Sequence, residues 1–413
     1  MNRWARLYSG NIAAIILVAS FFLIFLFVAR TNSIVDTWRI MGVDNSMTPR
    51  FADLRVVLAG AECYEMGIDP LTDNPCDPLG RILPYPRIWS TTIAATGLNQ
   101  QDTDWLGLLV GLSFLISAFL MIGRMTLVEG LLFGAIMISP PVLLALERAN
   151  IDLIIFSMLF IGTSFLISNK VPRIYKEILG IGILLIAALL KYYPIFALLI
   201  TGTLPRIKRF AWIAVVIFLL YLSCNLGEFY LCNAGVSKDI VPAFGAITLA
   251  SYLSPARFDY LSSPWNSMNF AILSACLSLI SLCLALLLRS SKAWGFTIDA
   301  TRREFLLFCI GSSIFIGCYL TSTSFDYRLI FLLFCLPQIF LWRKSKKRQE
   351  QLMSYALWAG ILFSFSLSTL SYATAFADEW LNLILYFGLS SILLLGILQA
   401  QTGSIARLIN NHD

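Results

Sequence analysis

Apolar runs about twenty residues long, broken by short polar punctuation, recur along nearly the whole chain. An α-helix rises about 1.5 Å per residue, so ~20 apolar residues suffice to cross the hydrocarbon core of a bilayer. The pattern predicts single spans at 11–29, 106–123, 127–146, 151–168, 210–224, 269–288, 304–320, 329–342, 353–373 and 380–399. Pro140-Pro141 predicts a kink within 127–146. Two long polar stretches interrupt the series, a first outer loop at 30–104 and a second at 225–268. The Pro and Gly content of the first, with Trp38 and Trp89, predicts short helices lying at the membrane interface.

The stretch 177–204 decides the topology. Read as one helix, it carries Arg206, Lys208 and Arg209 to the face opposite the other basic clusters and sinks Lys191 and Pro194 near its middle. Read as two short helices meeting at Lys191-Tyr192-Tyr193-Pro194, it returns the cluster to the common face. Each arm is then ~20 Å long, so the tip sits below the outer surface or in a water-filled recess. This pair brings the total to about twelve crossings, and the expected fold is all-α and polytopic, a single membrane-embedded domain over residues 1–413. The run 11–29 exceeds the apolar core of a signal peptide and is expected to remain as a span.

Charge is sorted as that topology requires. Inner segments, with both termini among them, hold 19 of the 30 Lys and Arg, while three short outer turns hold one each, Arg148, Lys191 and Arg328. No internal repeat is visible, so the inverted-repeat signature of many secondary transporters is missing.

Composition narrows the function classes. With 58% hydrophobic and 13% charged residues and a mean hydropathy of +0.78, the chain is no ordinary soluble domain. Its net charge of +6 resides in orienting clusters between apolar spans, which argues against a nucleic-acid partner. The sole histidine, His412, leaves none for a nucleophile–base pair, a haem or a conventional zinc site. Acid–base chemistry therefore falls to Asp, Glu, Tyr, Lys or Cys. No cofactor is implied, and a divalent metal is left open.

The loop 30–104, with six Arg against ten Asp or Glu, is the large segment with room for water chemistry. Within it Asp53 is the candidate catalytic carboxylate. Glu62 of the same loop, and Arg148, Asn150, Asp152, Lys191, Tyr193, Asp326 and Arg328 from further outer segments, are expected to converge with it on one cavity. Cations beside carboxylates at a membrane surface suit a lipid-linked phosphate: Lys and Arg neutralise the phosphate, and a carboxylate takes the proton of an incoming hydroxyl. Plainer roles stand beside these. Asn150 suits a helix N-cap, Arg148 and Asp152 an i,i+4 pair, Lys191 a snorkelling side chain, and Asp326 with Arg328 a local ion pair. Asp102-Thr103-Asp104 resembles a metal-binding Asp-x-Asp but reads as an interfacial charge cluster at a span start. The aromatics of the second outer loop, Tyr230, Tyr252 and Trp265, read as interfacial packing.

At these residues the chain resembles a known family. An outer-loop Asp is followed by Gly67-Ile68-Asp69-Pro70 and Tyr85-Pro86, then by Asn150-Ile151-Asp152 opening a span and by Lys191 to Pro194. That order is similar to the polyprenyl-phosphate-dependent glycosyltransferases of the multi-spanning C class (GT-C), family 87, over about residues 11–342. The resemblance implies a polyprenyl-phosphate sugar donor, often mannose, with Asp53 as catalytic base and Lys191 a candidate at the donor phosphate; the reading of the residues adds a lipid or glycan acceptor and Arg148 or Arg328 assisting at the phosphate. Where the family has Tyr-Pro-Pro this chain has Tyr85-Pro86-Arg87, which points to a different acceptor side. A transporter or lipid flippase using intramembrane charges, and a polymerase or ligase acting on lipid-linked glycans, are the rival readings.

Cys63 with Cys76, and Cys224 with Cys232, are candidate disulfide pairs on the outer side, while Cys276, Cys283, Cys309 and Cys335 read as apolar packing. No Asn-x-Ser/Thr sequon occurs, which fits a bacterial inner membrane better than the endoplasmic reticulum.

Overall fold

A computed structural model describes residues 9–44, 46–204, 207–235, 243–253, 264–290, 298–299, 302–321, 323–367 and 372–410. Arg3, Arg6, Arg206, Lys292 and His412 lie outside them, as do the side chains of Tyr252 and Trp265. The described chain is helical, apart from one antiparallel pair of two-residue strands, Ala243–Phe244 and Ser324–Phe325, with Ala243 opposite Phe325. It falls into two compact units: Met1–Ile195 with Trp212–Lys238, and Phe196–Ala211 with Asp239–Asp413.

In the first unit the helix Ser9–Val28 packs on Leu127–Met137 through Gly10 and Gly130. A Cβ on Gly130 would stand 1.9 Å from the Gly10 carbonyl oxygen, so backbone approaches backbone as small residues allow between membrane helices. Thr126 starts the second helix with a capping box, its hydroxyl accepting from Glu129 N while the Glu129 carboxylate accepts from Thr126 N. The expected kink is present: Leu127–Met137 and Pro140–Arg148 are bent by 51° at Ile138-Ser139. Thr103–Ile122 packs on Ile151–Ile167 with Phe114 edge-on to Phe156, and Ile151–Ile167 packs on Arg173–Leu190 at Gly162 and Gly180. The polar stretch 30–104 contains the short helices Ile34–Ile40, Ala52–Glu65 and Ile88–Thr96, as expected of it. Trp38 rests on Phe25 of the first long helix. Cys63 and Cys76 are disulfide-bonded, pinning the loop to the helix Ala52–Glu65.

In the second unit Arg303–Thr321 is the most enclosed of the long apolar helices. Gly311 lies against the Phe331 carbonyl and Gly396, in Tyr372–Asn410, against the Phe305 ring, so glycines again set the closest helix contacts.

Among the described residues five helices are long and apolar enough to cross a membrane, or seven if each of two bent pairs is one span. The about twelve crossings expected therefore include shorter or broken elements: Ile151–Ile167 has 17 residues and the 3-10 stretch Tyr193–Gly202 has ten. Large apolar side chains stand exposed along the long helices, among them Leu23, Phe27, Leu108 and Leu287. Such side chains on helices of membrane length belong in lipid, and this is a membrane protein with several spanning helices.

Three cysteine expectations are corrected. Cys224 and Cys232 are free thiols, because the 79° bend between Lys208–Cys224 and the following helix leaves one exposed and the other buried. Cys276 and Cys283 are exposed on Pro264–Ser290, whereas Cys309 and Cys335 pack inside as expected.

The Gly10–Gly130 contact sets a testable cost. Gly130→Ala has to push the helix Ser9–Val28 away and is expected to destabilise the first unit by about 1–3 kcal/mol, read as a lowered unfolding midpoint in detergent.

Candidate functional site

Asp53 sits in the first turn of Ala52–Glu65, and its position is set by an unusual entry into that helix. Phe51, directly before it, takes a left-handed backbone conformation (φ 56°), which costs energy for a residue with a side chain. The Phe51 ring is seated on Gly107, where a Cβ would come within 2.5 Å of it. The missing side chain at Gly107 thus makes room for the residue that aims Asp53.

Both oxygens of Asp53 are held. Asn150 Nδ2 donates to Oδ2 at 2.6 Å, and Arg81 Nη1 donates to Oδ1 at 3.3 Å. The side chain keeps 12% of its surface, so the carboxylate is gripped from two sides and open on a narrow edge. Arg81 is itself fixed by Asp77, through Nε at 3.0 Å and Nη2 at 3.2 Å, and by the Ala52 carbonyl. Burial works against its charge, but the hydrogen bond it donates to Asp77 and the charges of Asp53 and Asp77 outweigh it and raise its pKa above the ordinary arginine value.

Asn150 does a second job. Its Oδ1 accepts from Asp152 N, so it is the N-cap of Ile151–Ile167, as expected, while its amide nitrogen reaches Asp53. Asp152, fully buried in the first turn, accepts from Lys191 Nζ at 2.5 Å and from Tyr193 Oη at 2.6 Å, both through Oδ1. Lys191 caps the C-terminal end of Arg173–Leu190 in extended conformation, and its ammonium lies 5.0 Å from the Tyr85 ring centre and 5.8 Å from that of Tyr193. The break at Lys191-Tyr192 falls where the sequence places it. Arg81, Asp53, Asn150, Asp152, Lys191, Tyr193 and Tyr85 thus form one connected polar chain inside the first unit.

Four other predicted residues make contacts of their own. Glu62 follows Asp53 on the same helix, nine residues on and hence about 13 Å along it. It accepts from Gln100 N and Nε2 at 2.8 and 2.6 Å, a role in tying the loop together. Arg148 Nε lies 3.9 Å from Glu147 Oε2, and Glu147 Oε1 accepts from Met47 N at 2.9 Å. Asp326 and Arg328 belong to the second unit, where Asp326 is buried and Arg328 Nη1 donates to Ser324 Oγ at 2.9 Å. Asp102 closes a capping box with Asn99, and Asp104 pairs with Arg50 and Arg55.

Sequence reading missed Arg81, Asp77 and Glu147. The Asp77-to-Arg81 spacing of four was the available signal, since such a pair meets across one turn. It also missed a second cluster in this unit. Buried Glu228 accepts from Tyr192 and Tyr221 hydroxyls at 3.3 and 3.0 Å, and Arg87 reaches both it, at 3.6 Å, and Asp69, at 2.5 Å. Trp89, expected as an interfacial anchor, donates its indole N–H to the Leu190 carbonyl at 2.9 Å, satisfying an orphan acceptor at that helix end.

Compared with protein-family models, curated proteins and solved structures, the chain matches none.

Two outcomes are expected. Asn150→Ala removes a helix cap worth ~1 kcal/mol and strips Asp53 of a donor at a further ~1–3 kcal/mol, so it should destabilise the first unit more than an ordinary surface change, measured by denaturant unfolding in detergent. The hydrogen bond from Arg87 holds Asp69 below its ordinary pKa. The stabilisation this lends is fully present at neutral pH and is lost as pH falls through the lowered value. Asp69→Asn should therefore lower the unfolding midpoint slightly at pH 7, with the two proteins converging in strong acid.

Proposed function

We propose that this chain is a membrane glycosyltransferase of the multi-spanning C class. It transfers a sugar, mannose by resemblance, from a polyprenyl-phosphate donor to a hydroxyl of a lipid or glycan acceptor. The observation that carries this reading is the connected chain from Arg81 through Asp53 and Asn150 to Asp152, Lys191 and Tyr193. It joins residues of four separate segments, and it contains the carboxylate and the cation that the chemistry needs.

On this reading the acceptor hydroxyl approaches the open edge of Asp53. Its oxygen attacks the anomeric carbon as the bond from that carbon to the phosphate oxygen breaks, inverting the configuration. The hydroxyl proton passes to Asp53 and the electron pair leaves with the polyprenyl phosphate. Arg81 and Asn150 hold the carboxylate in register, and Lys191 stabilises the departing phosphate. Phosphate is a weak base, so the departing group needs no proton. The assignment of about twelve crossings, with both termini cytoplasmic and Asp53 on the periplasmic face of a bacterial inner membrane, belongs to the same proposal.

A transporter or flippase reading draws on a different observation. Asp378 and Glu379 are buried near the start of the long apolar stretch Phe376–Gln401, and ionisable groups inside membrane helices often line a substrate path. A polymerase or ligase would use a lipid diphosphate donor.

The deciding assay is transfer of radiolabelled mannose from synthetic polyprenyl-phosphate mannose by purified protein in detergent, with no ion gradient. Wild type is expected to form labelled product and Asp53→Asn to form it ~10²–10⁴-fold more slowly while remaining folded. Full activity in Asp53→Asn would remove Asp53 as the base. Movement of labelled lipid only across sealed vesicles under a gradient would favour the transporter.

A further inference from the structure

The strongest basic run of the chain, 343–348, borders a cavity that the glycosyl-transfer reading does not use. The cavity lies within the second unit and measures about 240 Å³. At ~30 Å³ per water it holds roughly eight waters, far more than a bare ion requires. It also falls just under the ~300 Å³ at which pockets for drug-sized ligands begin.

The walls define the chemistry of that group. Arg302, paired with Glu304 at 3.0 Å, and Lys344 supply positive charge, Asp299 and Glu350, the latter 3.5 Å from Lys347, supply negative charge, and Gln338, Leu341, Trp342 and Ser345 complete the lining. Gln338 is only 4% exposed, and its Oε1 accepts no hydrogen bond among the described residues. A buried acceptor beside two carboxylates calls for a ligand with several N–H donors on one atom, which describes an ammonium. The cations beside it call for a phosphate. The N-terminal end of Arg303–Thr321, directly after Arg302, favours an anion at that cation.

The walls are preformed. Lys344 N donates to the Leu341 carbonyl and Ser345 N to that of Trp342, while the Ser345 carbonyl accepts from Gln351 Nε2 at 2.8 Å. Ser354 Oγ, donating to the Ile339 carbonyl at 2.8 Å, fastens the two helices together below. Trp342 stands edge-on to Phe308.

We propose that this cavity binds a phosphate ester carrying a primary ammonium group, supplied by the headgroup of a phosphatidylethanolamine-type lipid. Arg302 and Lys344 take the phosphate; Asp299, Glu350 and Gln338 Oε1 take the ammonium. The site opens at the end of Arg303–Thr321, a helix of membrane length, beside a basic run of the kind that sits at headgroup level. That setting favours a lipid over a soluble ester.

The test is thermal unfolding of the full-length protein in detergent with short-chain phosphatidylethanolamine, phosphatidylcholine, phosphatidylglycerol or free phosphoethanolamine. Phosphatidylethanolamine is expected to raise the midpoint in a concentration-dependent way. Phosphatidylcholine, whose methylated nitrogen donates no hydrogen bond, and phosphatidylglycerol, which has no ammonium, should bind at least tenfold more weakly. Free phosphoethanolamine acting as well as the lipid would keep the site and make its source soluble. Gln338→Leu and Lys344→Glu should each weaken binding at least tenfold, and Gln338→Glu, which retains an acceptor, should preserve it. Equal shifts from all three lipids, or an undiminished phosphatidylethanolamine shift in both Gln338→Leu and Lys344→Glu, would overturn the proposal.

Discussion

The first unit is organised by the need to satisfy charge where water is scarce. A buried carboxylate without donors, or a buried ammonium without an acceptor, costs several kcal/mol. Asp152 is fully buried and Lys191 nearly so, and each answers the other. Once that pair is in place, much else is fixed by it. The helix Ile151–Ile167 begins where Asn150 caps it, and Arg173–Leu190 ends where Lys191 meets Asp152. Through the other end of its amide, Asn150 fixes Asp53, and with Asp53 comes Arg81 and the loop that carries it. One buried ion pair thereby aligns two helices with a polar loop whose Asp53 lies 97 residues before Asn150.

Within this arrangement the loop and the helices support each other by different forces. Backbone approaches at Gly10 and Gly130, and at Gly162 and Gly180, bring helices close enough for dispersion to act, which in lipid replaces the hydrophobic drive available in water. The loop is held by polar links instead: the disulfide between Cys63 and Cys76, the Glu62–Gln100 contacts, the Trp89 bond to a helix end and the Arg87 bridge from Asp69 to Glu228. Apolar packing shapes the membrane part, and paired charges shape the part that faces water.

Much of this was legible in the sequence because charge stands out against an apolar background. Asn150, Asp152 and Lys191 interrupt hydrophobic runs, so their cost marks them, and the structure brings all three together with Asp53. Arg81 and Asp77 were hidden for the converse reason: in a loop with six Arg and ten acidic residues, composition gives no hint of which pair is buried. Glu147 was hidden beside Arg148 in the same way. About twelve crossings were expected where five to seven described helices meet the length and hydropathy of a span, because an apolar run of 10 to 17 residues looks alike whether it lies in lipid or against protein. Cys224 and Cys232 suggested a bridge by proximity in sequence, and the bend between them, invisible to periodicity, sent their side chains into different surroundings.

The same charge accounting constrains the proposed chemistry. Within the contacts described above, Asp53, Asp77 and Asp152 in their ionised forms carry three negative charges beside the two positive charges of Arg81 and Lys191, and Lys191 is already engaged by Asp152. A phosphate group that reaches Lys191 must compete with Asp152 for its protons. Asp152 gives up that contact at least cost because Tyr193 Oη also donates to it, leaving the buried oxygen with a partner when the ammonium turns away. On the proposed reading, donor binding is therefore an exchange of partners at Lys191 rather than the filling of a vacant cationic site. That exchange rewards a phosphate and leaves a neutral sugar without any comparable gain. It gives Tyr193 a purpose beside Lys191 that neither snorkelling nor simple helix capping explains.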